Sequence, residues 1–233
     1  MILQFDKKIG ETMDEMIIRF REEHCIEDKI KVAYAGRLDP LAYGKIIILT
    51  DKDIYDKEKY CGKNKTYNCR IVHGIQTDTY DIMGKIVSEN IWEPIYNGVE
   101  DFEYEQQYPM YSSIYVIQDG MRKPLWYYEK NNIKVLNMPS KKVKLISSEK
   151  ISEESISSTE LFSIIKERIE QVKKDTYRQD EIIALWKDKL EINKDYTISK
   201  WKFTITSGGY IRYLANKMNG CCYDIERVCY SDT

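Results

Sequence analysis

The stretch Y-A-G-R-L-D-P-L-A-Y-G, Tyr34 to Gly44, places one carboxylate, Asp39, between a leucine and a proline and brackets it with Gly36 and Gly44. Leu38 and Pro40 restrict the backbone, so such a loop would aim the carboxylate before any substrate arrives. Asp-Pro also begins ordinary tight turns, and on the loop alone that bland role is the better explanation. Metal chemistry is poorly provided for. The six cysteines include no C-x-x-C pair, and the only histidines are His24 and His73. A reduced intracellular chain without metal or cofactor is the expectation.

Size and patterning say what must hold that loop. The chain has 233 residues, 42% hydrophobic and 32% charged, enough for a substantial core in a globular protein. No apolar run approaches the ~18–20 residues of a membrane span, and M-I-L-Q-F-D-K-K does not read as a signal peptide. Ile2 to Phe5 reads as a strand, and Thr12 with Glu15 as a capping box opening a helix to about Glu23. Strands follow over Ile46–Leu49 and Tyr67–His73, the latter forming a hairpin with Lys85–Val87 across G-I-Q-T-D-T-Y-D. Trp92–Glu105 reads as loop or short helix. Further strands are expected over Tyr111–Ile117, Ile133–Leu136 and Val143–Ile146.

Composition then shifts. Ser147 to Asp195 is charged and helical in pattern, with Leu161, Ile165, Ile169 and Val172 on one face and Ile182, Trp186 and Leu190 on a second helix. It holds nine basic and twelve acidic side chains, a net of −3, leaving about +1 for the rest of a chain whose total is −2. The helices read as a hairpin on the domain edge and a poor RNA-binding face. Trp201, Phe203 and Ile205 alternate as a strand before S-G-G-Y-I-R, which feeds a helix over Tyr210–Lys217, and a last strand lies around Ile225–Cys229. The expected fold class is α+β, a mixed, largely antiparallel sheet flanked by helices and loops, in one domain over 1–233 with a helical insertion at about 147–195.

Four stretches taken together resemble the TruB family of pseudouridine synthases, which convert a uridine in RNA to its C-glycoside isomer. I-L-Q-F-D-K-K-I-G-E-T is similar to the family's D-K-P-x-G-x-T-S opening, and G-R-L-D-P-L-A-Y-G to its G-x-L-D-P-x-A-x-G loop. K-T-Y followed by H-G-I-Q-T-D-T-Y-D-I-M-G is similar to its K-x-Y strand and G-x-x-T-D-T-x-D-x-x-G turn, and S-G-G-Y-I-R-Y-L-A to its G-T-Y-I-R-x-L-A helix start. Q-Y-P-M-Y-S-S-I-Y-V also resembles the family's Q-x-P-P-x-Y-S-A-x-K. The resemblance covers residues 1–146 and 200–230, in order. Departures are Lys8 where the family has proline, Met13 for serine, Tyr34 for the histidine before the loop, Arg37 at a small position and Tyr115 for lysine. The 147–195 helices have no counterpart, and the family's small C-terminal RNA-binding PUA domain is expected to be missing.

The resemblance implies the pseudouridine synthase fold and roles for named residues. Asp39 is the essential carboxylate, acting on the sugar as a nucleophile or in forming and trapping an unsaturated intermediate. Arg212 is the fixed cation that opposes protonation of that carboxylate in a dry pocket. Tyr67 stacks on the uracil and is proposed to take the C5 proton; a tyrosine hydroxyl titrates near ~10 in water, so that step needs help from the site. Tyr210, Ile225 and Leu38 line the base pocket or shape its loop, although core packing explains Ile225 equally well. The target base must swing out of its RNA, and Tyr34 or Arg37 would fill the gap, or Arg37 would contact a phosphate. Lys57, Lys59, Lys63, Lys65 and Arg70, and a second cluster at Lys141, Lys142 and Lys144, are candidate RNA-backbone contacts or ordinary solvated lysines. The partner implied is RNA, the T-arm of tRNA, modified without a guide RNA, at no membrane and with no metal, in the cytoplasm. The competing reading is a non-catalytic RNA-binding or tRNA-folding chaperone on the same fold.

Overall fold

Strand β1 (Ile2–Lys7) turns Phe5 and Lys7 inward. The computed structural model describes residues 1–89, 101–173, 177–190 and 194–232. After the turn at Gly10, Thr12 caps helix α1 (Met13–Glu23): its hydroxyl accepts the Glu15 amide at 3.2 Å while the Glu15 carboxylate accepts the Thr12 amide at 2.8 Å. Two donors at the helix start are thereby satisfied, and Met13, Met16 and Phe20 form the buried face. Strand β2 (Val32–Ala35), which the sequence pattern did not reveal, pairs antiparallel with β3 (Tyr43–Thr50). Residues 36–42, with Asp39 among them, therefore connect two hydrogen-bonded strands. A 3-10 turn (Asp51–Asp56) and α2 (Lys57–Gly62) lead into β4 (Asn64–His73).

Gly74, at φ +80°, ends β4 by donating its amide to Asn219 O. The expected hairpin is consequently a separate two-stranded unit, β5 (Ile75–Thr77) with β6 (Ile86–Glu89), while β4 finds other partners. Of the Trp92–Glu105 reading, residues 92–100 lie outside the described residues; from Phe102 the chain is a strand, β7 (Phe102–Gln107). Over Tyr111–Ile117 only the end is strand: β8 (Tyr115–Gln118) pairs with β9 (Met121–Pro124), and α3 (Leu125–Lys130) follows. Ile133–Leu136 is not a strand. The Gln118 side chain there donates to Lys134 O and accepts the Leu136 amide, in place of a ladder, while Val135 packs on Leu125 and Tyr128.

The next strand, β10, runs Ser140–Ser157, well past Ile146. Its second half, rich in Ser, Glu and Lys, carries little apolar signal because it is mostly exposed. A long antiparallel ladder with β11 (Asp195–Ile205), out to the pair Ser157–Asp195, fixes it as strand nonetheless, and charged residues on an open edge discourage further pairing. Helices α4 (Ser158–Glu170) and α5 (Gln179–Lys189) fill the interval, and α6 (Ile211–Lys217) and β12 (Gly220–Ser231) complete the described chain.

Among the described residues the main sheet has the order β1-β3-β12-β4-β11-β10-β7, with β2 also on β3. Every pairing in it is antiparallel except the short parallel contact of β12 with β3. The fold is therefore the expected α+β arrangement. Both faces are covered. Neighbouring residues divide between two cores: Ile71 and Cys222 pack with α1 and α6, whereas Val72 and Cys221 pack with α4 and α5. This is the period-two alternation of a central sheet buried on both sides.

Candidate active site

The Asp39 loop is fastened from three directions. Asp39 O accepts the Ala42 amide at 3.1 Å, closing a turn with Pro40 at its second position. Lys7 Nζ donates to Lys8 O at 3.1 Å, Pro40 O at 3.0 Å and Ala42 O at 2.7 Å, and the Gly10 amide reaches Pro40 O at 2.9 Å. Burial depresses the Lys7 ammonium to about 8, against the pull of Asp39. On the other flank Arg227, buried in β12, donates to Gly36 O at 3.0 Å and Lys45 O at 2.6 Å. Gly36 sits at φ +78° with Arg227 and Lys65 against it, and Gly44 at φ +100° would drive a Cβ to 2.3 Å from Arg227 O. Leu38 is buried in one core and Leu41 in the other. Asp39 is left between two anchors with its side chain 38% exposed. The turn role and the aimed role thus coexist.

Arg212 meets it from the first turn of α6. Nε donates to Asp39 Oδ2 at 2.8 Å and Nη2 to Asp39 Oδ1 at 3.1 Å, a two-point grip. The remaining donors bind backbone: Nη1 to Thr79 O, and Nη2 to Tyr111 O at 3.2 Å. A second carboxylate, Asp81, lies 3.6 Å from Nε and accepts Thr79 Oγ1 at 2.6 Å and the Met83 amide at 3.0 Å. Burial raises Asp81 to about 6, although Arg212 pulls the other way. Burial opposes the charge on Arg212, but Asp39 and Asp81 outweigh it and hold the guanidinium above the ordinary arginine range.

Tyr210 caps α6, and its amide donates to Gln106 Oε1 at 2.8 Å. Its ring lies 5.7 Å from the Arg212 guanidinium carbon and edge-on to Tyr108. Burial, helped by Asp39, pushes its hydroxyl up to about 12. Tyr67 lies on β4 opposite Phe203 of β11 and Arg227 of β12, buried with Leu38 and Ile225 in one apolar cluster. The structure therefore joins Asp39 to Arg212, sets Tyr210 beside that pair, and places Tyr67, Leu38 and Ile225 together.

Other expected residues are placed differently. Lys65, anticipated as a free cation for RNA, is buried. Its Nζ donates to Cys61 O at 2.8 Å and Lys63 O at 2.6 Å, so it ties the end of α2 to β4 instead of presenting charge. Burial, with Arg227 nearby, lowers it to about 8. Tyr34 is half-buried on β2 with the Lys57 ammonium 5.4 Å over its ring, and Arg37 is exposed on the loop. The α4–α5 pair is no appendage at the edge: it buries Leu41 of the Asp39 loop and Ile82 and Met83, which follow Asp81. Sequence reasoning missed Lys7, Asp81, Gln106 and Arg227. Lys7 and Asp81 stood within the motifs of the resemblance, and Gln106 stands at the glutamine of Q-x-P-P-x-Y-S-A-x-K once Tyr115 is set at its lysine; nothing in the sequence marked Arg227. Among the described residues no cluster of His, Cys, Asp and Glu could hold a metal ion.

Comparison with known proteins adds a lineage. The model for the TruB family pseudouridylate synthase N-terminal domain matches residues 24–177. A tRNA pseudouridine synthase B from Mesoplasma florum is 30% identical over 168 residues, 68% of this chain and 56% of that protein. One from Aquifex aeolicus is 38% identical over 85 residues, 36% of this chain and 29% of that protein. The chain thus spans about half the length, or less, of these curated relatives. Among solved structures, a Cbf5–Nop10–Gar1 complex contains a chain that superposes with TM-score 0.53 at 14% identity, over 98% of this chain and 48% of that one, a likeness of fold.

Proposed function

This chain belongs to the TruB family of pseudouridylate synthases, and from that premise we propose that it isomerises uridine to pseudouridine in RNA, at the T-loop uridine of tRNA. The observation that carries the proposal is the two-point contact of Arg212 with Asp39, a buried guanidinium locked onto a part-exposed carboxylate. The reaction breaks the N-glycosidic bond, turns the uracil and joins its C5 to the sugar carbon it left, with the C5 proton lost and one proton returned to nitrogen. Asp39 acts on the sugar, as a nucleophile at that carbon or as a base beside it; both roles need an ionised carboxylate, and Arg212 supplies a permanent positive charge next to it. Tyr67, Leu38 and Ile225 give the uracil an apolar surface, with Tyr67 as the stacking ring and acceptor of the C5 proton. Tyr210 rims the pocket beside Arg212. The names of the relatives, tRNA pseudouridine synthase B, support tRNA as the substrate. No guide RNA is needed in this proposal, and the domain boundary proposed is the whole of 1–233.

The test is to incubate the protein with a pool of unmodified RNAs and map new pseudouridines, then repeat with Asp39→Asn. The wild type should convert a T-loop uridine; Asn at 39 keeps the shape but not the charge and should abolish conversion while RNA binding persists. Equal turnover by the variant removes the catalytic assignment, and binding without conversion by the wild type favours the chaperone.

A further inference from the structure

The α4–α5 pair, which none of the family-like motifs includes, reaches the Asp39 site at two points. At the end of α4, Gln171 packs on Gly10 so closely that a Cβ on Gly10 would stand 2.3 Å from Gln171 O. The Gly10 amide is one of the donors that hold Pro40. At the start of α5, Arg178 Nη1 donates to Asp78 Oδ2 at 3.0 Å, and its guanidinium lies 4.5 Å over the ring of Tyr111. Arg212 binds the backbone of Thr79 and Tyr111. Two arginines from separate elements therefore clasp the same two segments. Arg212 does so from the buried side, its side chain 3% exposed, and Arg178 from the solvent side at 29%.

We infer that the end of α4 at Gln171 and the start of α5 at Arg178 back the uridine site, with Arg178 as a positioning residue for the Asp78–Tyr111 rim. The inference rests on the proposed isomerase function. The charge of Arg178 is matched by Asp78, so it is not a free phosphate binder; by pinning Asp78 and Tyr111 it fixes the carbonyls on which the orientation of Arg212, and through it Asp39, depends.

Steady-state kinetics on the RNA converted by the wild type tests this role. Arg178→Ala should lower kcat about tenfold with a smaller effect on KM, the signature of a misaligned reactive group; Arg178→Lys, which keeps the ion pair with Asp78, should recover most of it. Melting temperatures measured alongside report folding. A wild-type kcat in Arg178→Ala, or a loss that follows only the unfolded fraction, overturns the inference and leaves the isomerase assignment standing. A wild type that converts no uridine in any RNA overturns the isomerase assignment itself.

Discussion

Arg212 makes four hydrogen bonds to three residues from three different parts of the chain, two to Asp39 and one each to Thr79 and Tyr111. A lysine would keep the charge but not the planar fork, so Arg212→Lys is expected to lose at least about a hundredfold in kcat. Arg212→Met should also destabilise the fold by about 3–5 kcal/mol at neutral pH, because Asp81 is left charged and buried without its partner. The sign of the pH effect follows from Asp81, raised from 3.8 to about 6. Across that window the folded chain keeps a proton that the unfolded chain has released. Stability from this group therefore falls as pH rises from about 4 to 6 and is flat above. Urea denaturation of Arg212→Met at pH 5 and pH 7 should show the smaller penalty in acid. Lys7 behaves in the opposite sense. Lowered from 10.5 to about 8, it makes stability rise with pH across that interval, yet the neutral amine has two hydrogens for three carbonyls and must release part of the Asp39 loop. Turnover should therefore decline above about pH 8 while thermal stability does not. Lys65 titrates in the same range; Lys65→Met should keep the alkaline limb, and Lys7→Met should lose it with reduced activity already at pH 7.

At the scale of elements, the helix caps and alternating strands were readable because their causes are local. The T-x-x-E box satisfies its own helix start, and Trp201, Phe203 and Ile205 alternate whatever lies beyond them. The long β10 and the hidden β2 were not readable: a Ser/Glu/Lys edge and a short V-A-Y-A segment become strands through the neighbours that pair with them. The failure at Ile133–Leu136 has the same cause reversed, an apolar run without a partner strand. The role of α5 was equally concealed. Trp186 is fully buried and donates its indole N–H to Ile82 O at 3.1 Å, next to Asp81. Trp186→Ala should cost about 3–5 kcal/mol in denaturant unfolding and lower kcat more than an equally destabilising substitution under β8 and β9, since it loosens the turn that carries Asp81.

For the whole molecule, α4 and α5 cover one face of the main sheet as α1 and α6 cover the other. Ser157 and Asp195 are directly paired, so residues 158–194 can be replaced by a tight turn without stretching the ladder. If the helices were an optional attachment, that protein would fold and melt like the original. Exposing Val72, Ile75, Ile82, Tyr196 and Ile198 to water should instead yield an aggregating or markedly less stable chain, scored by soluble fraction and melting temperature.

Side-chain identity, short-range periodicity and motif order were enough to read the kind of fold, the candidate carboxylate and the arginine and tyrosines to test with it. It took the folded chain to reveal that Lys65 faces backbone carbonyls, that Lys7 and Arg227 fasten the Asp39 loop, and that a second carboxylate shares Arg212. The folded chain also shows that an acidic helical stretch, from which net charge argued RNA away, stands against the site. Net charge sums over a segment without regard to direction. What reaches the site from that stretch is an arginine already matched by Asp78, and its position is set by packing against a residue 100 places away in the chain.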